Sequence, residues 1–494
     1  MKILILLVLL YLTLACSASN KRPKYETRAN QVVRNNANTQ RGRYGNYAEM
    51  TSSRVDVKLS VAYRSHSGIT LGAAFAVVVA DVSCYNCKVI KNPKFLDEFG
   101  VWNGIVQVNW NRINHGGPLD GTSGLVVTLK VYMAGQYTYI SLAPDGGTGI
   151  YPRKPAISDF NYDPRVPAYV LKYKGLVVQG DTEELKYDFI LHGINGPRFD
   201  NSQNLDNRYM ISYVSLTHLA MKSVSLLKLD VKQIWVLIRS DFKTAALKVD
   251  VPMPALYPGT GVLMAHPDYV WRPMTSAHEY GHYIQSIVYK SPLYKGDPWV
   301  PKVLGTHTFC QQNPVKVDGV SVGLPQNSDV SWTEGYPTGY ALIMGELLGL
   351  NTKGVFNNVN WSDGSGTQII DIEYYNCNMY DMNTDEGRIS AMIYDLYDSD
   401  NDSRESREID EVIAKRIQKN KDSKVNIAWF GNQGPGDNNN GYTLTPKEAL
   451  VDLLVNSQAP TLQGYINALK TTMEGDKLTL ALNAIKYNYG QALV

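Results

Sequence analysis

Two histidines four residues apart, with a glutamate directly after the first, constrain this chain more than any other feature: His278-Glu279-Tyr280-Gly281-His282. On an α-helix, residues i and i+4 lie one above the other on the same face. The two imidazoles can therefore converge on one metal ion, with the Glu279 carboxylate beside it. The pattern demands a helix at this point and open space in front of it. Zinc suits such a set: nitrogen ligands at about 2.0–2.1 Å and a position left for water. Glu279 then stands where a general base is needed. The competing reading is a surface helix that carries two histidines by chance, but the chain holds only 8 His in 494 residues. The surroundings favour a helix. Pro273 is a breaker, Thr275-Ser276 offer N-caps, and Ile284, Ile287 and Val288 form an apolar stripe at helical spacing.

Two histidines do not complete a catalytic zinc site; a third protein ligand is required. The metzincin class would need Gly and His three and six residues after the second histidine, where this chain has Gln285 and Val288. Glu334 is the expected third ligand, with His307 and Glu346 in reserve. It lies in Ser331-Trp-Thr-Glu-Gly-Tyr-Pro-Thr-Gly-Tyr340, which resembles the W-x-E-G-x-x-x-x-[YF] segment of gluzincin metallopeptidases. Glu386-Gly-Arg-Ile-Ser-Ala-Met-Ile-Tyr-Asp-Leu-Tyr-Asp398 is similar to a helix of secreted HEYGH-type proteins. The resemblance covers about Leu247 to the C-terminus and none of the preceding half. It implies a zincin catalytic domain, a Zn2+ cofactor bound by His278, His282 and Glu334, and Glu279 as base.

The residues also admit other readings. Ser331-x-x-Glu334 is itself a capping box. Pro337 removes a helical hydrogen bond and crowds the preceding turn, so the helix is either kinked there or begins late, with Glu334 on its entry loop. Where the gluzincin pattern often has Asp, four residues after the ligand, this chain has Thr338. Asp395 or Glu386 is then the expected carboxylate behind a histidine ligand. For the oxyanion donor Tyr340 is the first choice, beside Tyr336 and His307. The G-x-M-E-N anchor of gluzincin aminopeptidases is absent, which points to an endopeptidase.

The N-terminus reads as a secretory signal: Lys2, an apolar run Ile3 to Leu14, and cleavage after Ala18. A lipoprotein signal with Cys16 lipidated is the alternative in a bacterial source. No later stretch reaches the ~18 apolar residues of a membrane span. After cleavage Cys84, Cys87, Cys310 and Cys377 remain. An even number in a secreted chain suggests disulfides, with Cys310–Cys377 bracketing the Glu334 segment. Zinc binding or redox chemistry at Cys84-Tyr-Asn-Cys87 lacks the second CxxC or the thioredoxin context it would need. Asn360 and Asn401 stand in glycosylation sequons. Asp398-Ser-Asp-Asn-Asp402 lacks the Gly and Glu of a calcium loop and reads as a solvated acidic loop.

The expected class is α+β. Residues 1–18 form the signal and 19–53 a polar linker or propeptide. Residues 54–244 form an antiparallel, sandwich-like β region, and 245–494 a mainly helical zincin-like domain. Strands are expected at Val55–Val61, Leu71–Val82, Leu125–Met133, Tyr137–Leu142, Tyr169–Val178, Tyr187–Leu191, Met210–Leu216 and Val231–Ile238. Val262–Ala265 should be a strand ahead of the motif helix, Thr445-Pro-Lys-Glu448 should open a helix, and Leu462–Leu469 and Leu478–Tyr487 should be helical. A net charge of +2 gives no case for nucleic acid. The expected partner is a protein or peptide substrate, with a glycan or protein contact through the β region. The rival function is a binding or surface protein whose zincin domain is inactive and whose β region does the work.

Overall fold

The computed structural model describes residues 52–64, 69–83, 87–89, 94–110, 124–142, 166, 168–176, 182–192, 205–238, 255–256, 262–265, 272–289, 316–317, 320–321, 328–351, 355–358, 368–371, 385–398, 444–457 and 461–489. The signal, the 19–53 segment, Cys84, Cys310, Cys377, His307, both sequons and the 245 boundary lie outside these residues.

In chain order the strands are β1 (Ser52–Arg64), β2 (Thr70–Gly72), β3 (Val77–Ser83), β4 (Cys87–Val89), β5 (Lys94–Phe95), β6 (Val101–Trp110), β7 (Gly124–Tyr132), β8 (Thr138–Leu142), β9 (Ala168–Leu176), β10 (Thr182–His192), β11 (Ile234–Ile238), β12 (Ala255–Leu256) and β13 (Val262–Ala265). Three sheets result, ordered β10-β1-β6-β4 with β2 also on β1, β5-β3-β7-β9, and β12-β13-β11-β8. Two short antiparallel pairs follow, Lys316–Val317 with Val320–Ser321 and Val355–Asn358 with Gln368–Asp371.

Strand β1 shows why this part of the chain is strand. Val57, Leu59 and Val61 are buried while Lys58 is exposed, the period-two pattern of a sheet with one covered face. The pairing is not antiparallel throughout. β1 with β10, β8 with β11, and β11 with β13 run parallel. Parallel neighbours need long crossovers, which an alternation pattern does not reveal. The Leu71–Val82 run is split into β2 and β3 by a turn at Ala74-Phe75, where Phe75 has a positive φ of 58°.

The main departure is Met210–Leu216. It lies inside a 21-residue helix, α1 (Leu205–Ser225). Tyr209 through Leu216 are all buried, Ser212 and Ser215 included. A helix covered on every side loses the polar stripe that would mark its period, so β-branched and aromatic residues imitate a strand.

The remaining helices are α2 (Pro273–Tyr289), α3 (Ser328–Leu347) and α4 (Glu386–Asp395). A π-helical stretch, Glu448–Asp452, runs on as Leu453–Asn456 (together α5), followed by α6 (Leu462–Thr472) and α7 (Gly475–Tyr489). Thr445 opens α5 as a reciprocal box: its N–H donates to Glu448 Oε2 at 2.9 Å and its Oγ1 accepts from Glu448 N–H at 3.2 Å. One cluster of buried side chains runs from Val57 on β1 through α1, α2, α3 and α4 to Ile485 on α7. Helix α3 passes through its middle, with Val330 to Gly345 buried without interruption. It packs on α2 to one side and α4 to the other.

Candidate metal centre

Helix α2 starts at Pro273, so proline takes the first helical position and Thr275-Ser276 lie in the first turn rather than at the cap. Its inner face carries Ile284 and Val288 into the core, as the stripe requires. His278 and His282 sit on one face, their ring centroids 4.9 Å apart and nearly perpendicular. Glu279 is 7% exposed.

Glu334 arrives from α3. The helix is continuous from Ser328 to Leu347 with Pro337 inside it, so Glu334 is a helical residue and not part of an entry loop. Its Oε2 lies 3.1 Å from His278 Nε2 and 3.2 Å from His282 Nε2. These three ligand atoms lie within 4.8 Å of one another, the one such group among the described residues.

Pro337 and Gly281 explain each other. A Cβ on Gly281 would lie 2.7 Å from Pro337 Cα and 2.9 Å from Pro337 O. The α2 backbone therefore rests directly on the α3 backbone, next to His282 on α2 and about one helical turn after Glu334 on α3. Glycine is needed here for close approach. On the far side of α3, Gly335 and Gly339 play the same part towards α4. A Cβ on Gly335 would meet Ile389 Cβ at 2.5 Å and Glu386 O at 2.7 Å; on Gly339 it would meet Ile393 Cγ2 at 2.9 Å. Ser390 Oγ lies 3.1 Å from the Gly335 carbonyl, across the same contact.

The donor set fits a divalent metal. Two ligands at about 2.0–2.1 Å in a tetrahedral site lie roughly 3.3 Å apart, close to the 3.1 and 3.2 Å separations here. Imidazole nitrogen with carboxylate oxygen suits zinc, and also other late first-row ions. The glutamate side chain is 3% exposed and the histidines 13% and 11%, so solvent reaches the cluster from the histidine side.

The other sequence-derived residues fall elsewhere. Tyr340 is fully buried and its hydroxyl lies 3.0 Å from Ser223 Oγ on α1. Burial raises its phenol pKa, with the Ser223 bond acting the other way. It lies ~200° around α3 from Thr338, so it serves the α1–α3 contact. Tyr336 donates to the Leu450 carbonyl at 2.6 Å. Glu346 accepts from the Tyr394 hydroxyl. Asp395 and Glu386 are buried at opposite ends of α4. The residue behind His278 is Thr338, whose Oγ1 is 2.9 Å from His278 Nδ1. Its hydroxyl is one turn from Glu334 on the same face, a signal the spacing contained. Asp398 is buried, at 7% exposure, rather than solvated.

No protein-family model, curated protein or solved structure matches this chain.

Proposed function

We propose that this chain is a secreted zinc-dependent peptidase, and within that class an endopeptidase. The observation that supports it is the convergence of His278 Nε2, His282 Nε2 and Glu334 Oε2, with Glu279 on the helix that carries both histidines. Zinc held by these three residues would supply Lewis acidity to a peptide carbonyl and to an attacking water. Glu279 accepts the water's proton and returns it to the leaving amine. Its burial beside the ligands keeps bulk water from competing for that proton. The Gly281–Pro337 contact fixes the distance between the two ligand-bearing helices, and with it the position of the reacting groups. In this reading the N-terminal region to about residue 244 and the helical remainder differ in composition but share the β12-β13-β11-β8 sheet, and Cys310 pairs with Cys377.

The test uses the full-length secreted chain. We expect one zinc per chain by metal analysis, cleavage of unstructured protein substrates such as casein, and loss of cleavage on chelation. Glu279→Gln should keep its zinc and lose at least ~10²-fold in hydrolysis. Loss of metal from Glu279→Gln would make that residue a ligand and not a base. Zinc without any hydrolysis would favour an inactive binding protein. Peptide mapping without reductant should recover Cys310 joined to Cys377; free thiols there would remove the disulfide.

A further inference from the structure

We infer that Thr338 is a positioning residue for the metal site: it fixes the tautomer of His278 through a relay that begins at the backbone of Glu334. The inference rests on the metal-site reading above.

Two distances carry it. Thr338 Oγ1 lies 3.1 Å from the Glu334 carbonyl oxygen and 2.9 Å from His278 Nδ1. A carbonyl oxygen can only accept, so the one proton of the hydroxyl is directed to Glu334 O. The hydroxyl then has only lone pairs to offer His278, and Nδ1 must carry the hydrogen. In a neutral imidazole that leaves Nε2 bare. Nε2 is the atom 3.1 Å from Glu334 Oε2. Two lone pairs facing each other at that distance repel unless a cation sits between them. Tautomer and ligand geometry therefore agree.

Glu334 thus acts twice. Its side chain is a ligand, and its backbone carbonyl, through Thr338, orients the ring of a co-ligand. The helix makes this possible, because residues i and i+4 share a face. Both Thr338 and Glu334 are 2% exposed, so no water competes for the relay. The partner of Nδ1 is neutral. It orients His278 without adding a further buried carboxylate to Glu334 and Glu279.

Zinc affinity measured by competition with a chromogenic chelator tests this on the full-length chain. Thr338→Val keeps the shape and removes the relay; its zinc affinity should fall 10- to 100-fold. Thr338→Ser should restore affinity close to wild type. Nitrogen-15 spectra of labelled imidazoles, with His278→Gln used to identify the ring, should show His278 protonated at Nδ1 in the wild type and in Thr338→Ser. A wild type and Thr338→Val of equal zinc affinity, or a His278 ring protonated at Nε2, would overturn the relay and leave the metal site standing. A wild type that binds no zinc would remove the metal site and the relay with it. Should Thr338→Val fail to fold, the Thr338→Ser affinity and the wild-type tautomer still decide the matter.

Discussion

The three helices around the candidate metal centre cross where side chains are missing; the inward face of β1 is filled by side chains, while close glycine contacts, Gly72 with Phe99 and Gly100 with Val61, are kept to the strand's margins. Gly281 lets α2 touch Pro337, and Gly335 and Gly339 let α4 lie on α3. On β1, by contrast, Val57, Leu59 and Val61 fill the interior with branched aliphatics. The difference sets the kind of error each region tolerates. The helical crossing has no room for an added atom, because what it would strike at Gly281 is backbone. The sheet interior answers each methyl group removed with a cavity, and its stability declines accordingly. A ligand set that must hold to fractions of an ångström is thus built on backbone contacts, which move less than side chains do.

The largest effect expected is at the crossing itself. Gly281→Val should abolish zinc binding and lower hydrolysis at least ~10²-fold, since displacing a ligand helix by about 1 Å costs that much. Metal content and casein cleavage check it. A variant with normal zinc would show the crossing to be elastic and erase the contrast.

Leu59→Ala is the counterpart in the sheet. It should cost about 2–5 kcal/mol, read from the denaturant midpoint, and leave zinc affinity unchanged. A parallel loss of zinc would mean that the two regions are not independent in this sense.

Gly339→Ala sharpens the helical side. The new methyl meets the Ile393 side chain, at 2.9 Å from its Cγ2 and 3.0 Å from its Cβ, so α4 has to give by a few tenths of an ångström. The expected destabilisation is about 1–3 kcal/mol, with the metal retained. Adding Ile393→Ala, which removes Cγ2, should make the cost of Gly339→Ala smaller in that background than in the wild type. An equal cost in both backgrounds would place the strain in the backbone.

The smallest effect is a pH dependence confined to the sheet side. His218 on α1 donates from Nε2 to the Gly72 carbonyl of β2 at 2.8 Å. Burial lowers its pKa below the ordinary 6.5; the Gly72 bond opposes this and nearby Lys222 adds to it. The folded ring is neutral where the unfolded one begins to charge. Its contribution is therefore complete above pH 6.5 and declines as pH falls through that value. Urea midpoints of wild type and His218→Asn between neutral pH and pH 5 isolate the effect from the other histidines. Equal slopes would remove His218 from the account.

Much of the site was legible because it obeys helix periodicity. The i, i+4 spacing of His278 and His282 put both rings on one face, and the second helix brought Glu334 to them. Glycine and proline were harder to read. Pro337 argued against a helix through Glu334 until its partner Gly281, 56 residues earlier, was seen to lie against it. Sequence adjacency cannot express that pairing. Thr338 stands where the gluzincin pattern has a carboxylate, and a hydroxyl with a carbonyl behind it also accepts. Helix α1 has the sequence pattern of a strand because burial leaves it no polar face. The parallel pairs were missed because alternation reports which face is covered and says nothing of strand direction.

The burial of α3 on all sides bears on the order in which the molecule assembles. The ribosome releases the two histidines before Glu334, and α4, which covers the far side of α3, only after about fifty further residues. A central helix with no exposed stripe has little reason to persist alone, so Glu334 gains its place only when neighbours on both sides have formed. On the proposed function, packing would thus come before any metal is held. On that reading an ion would enter a cage already packed, from the histidine side, and a chain without metal should remain folded and ready to take one.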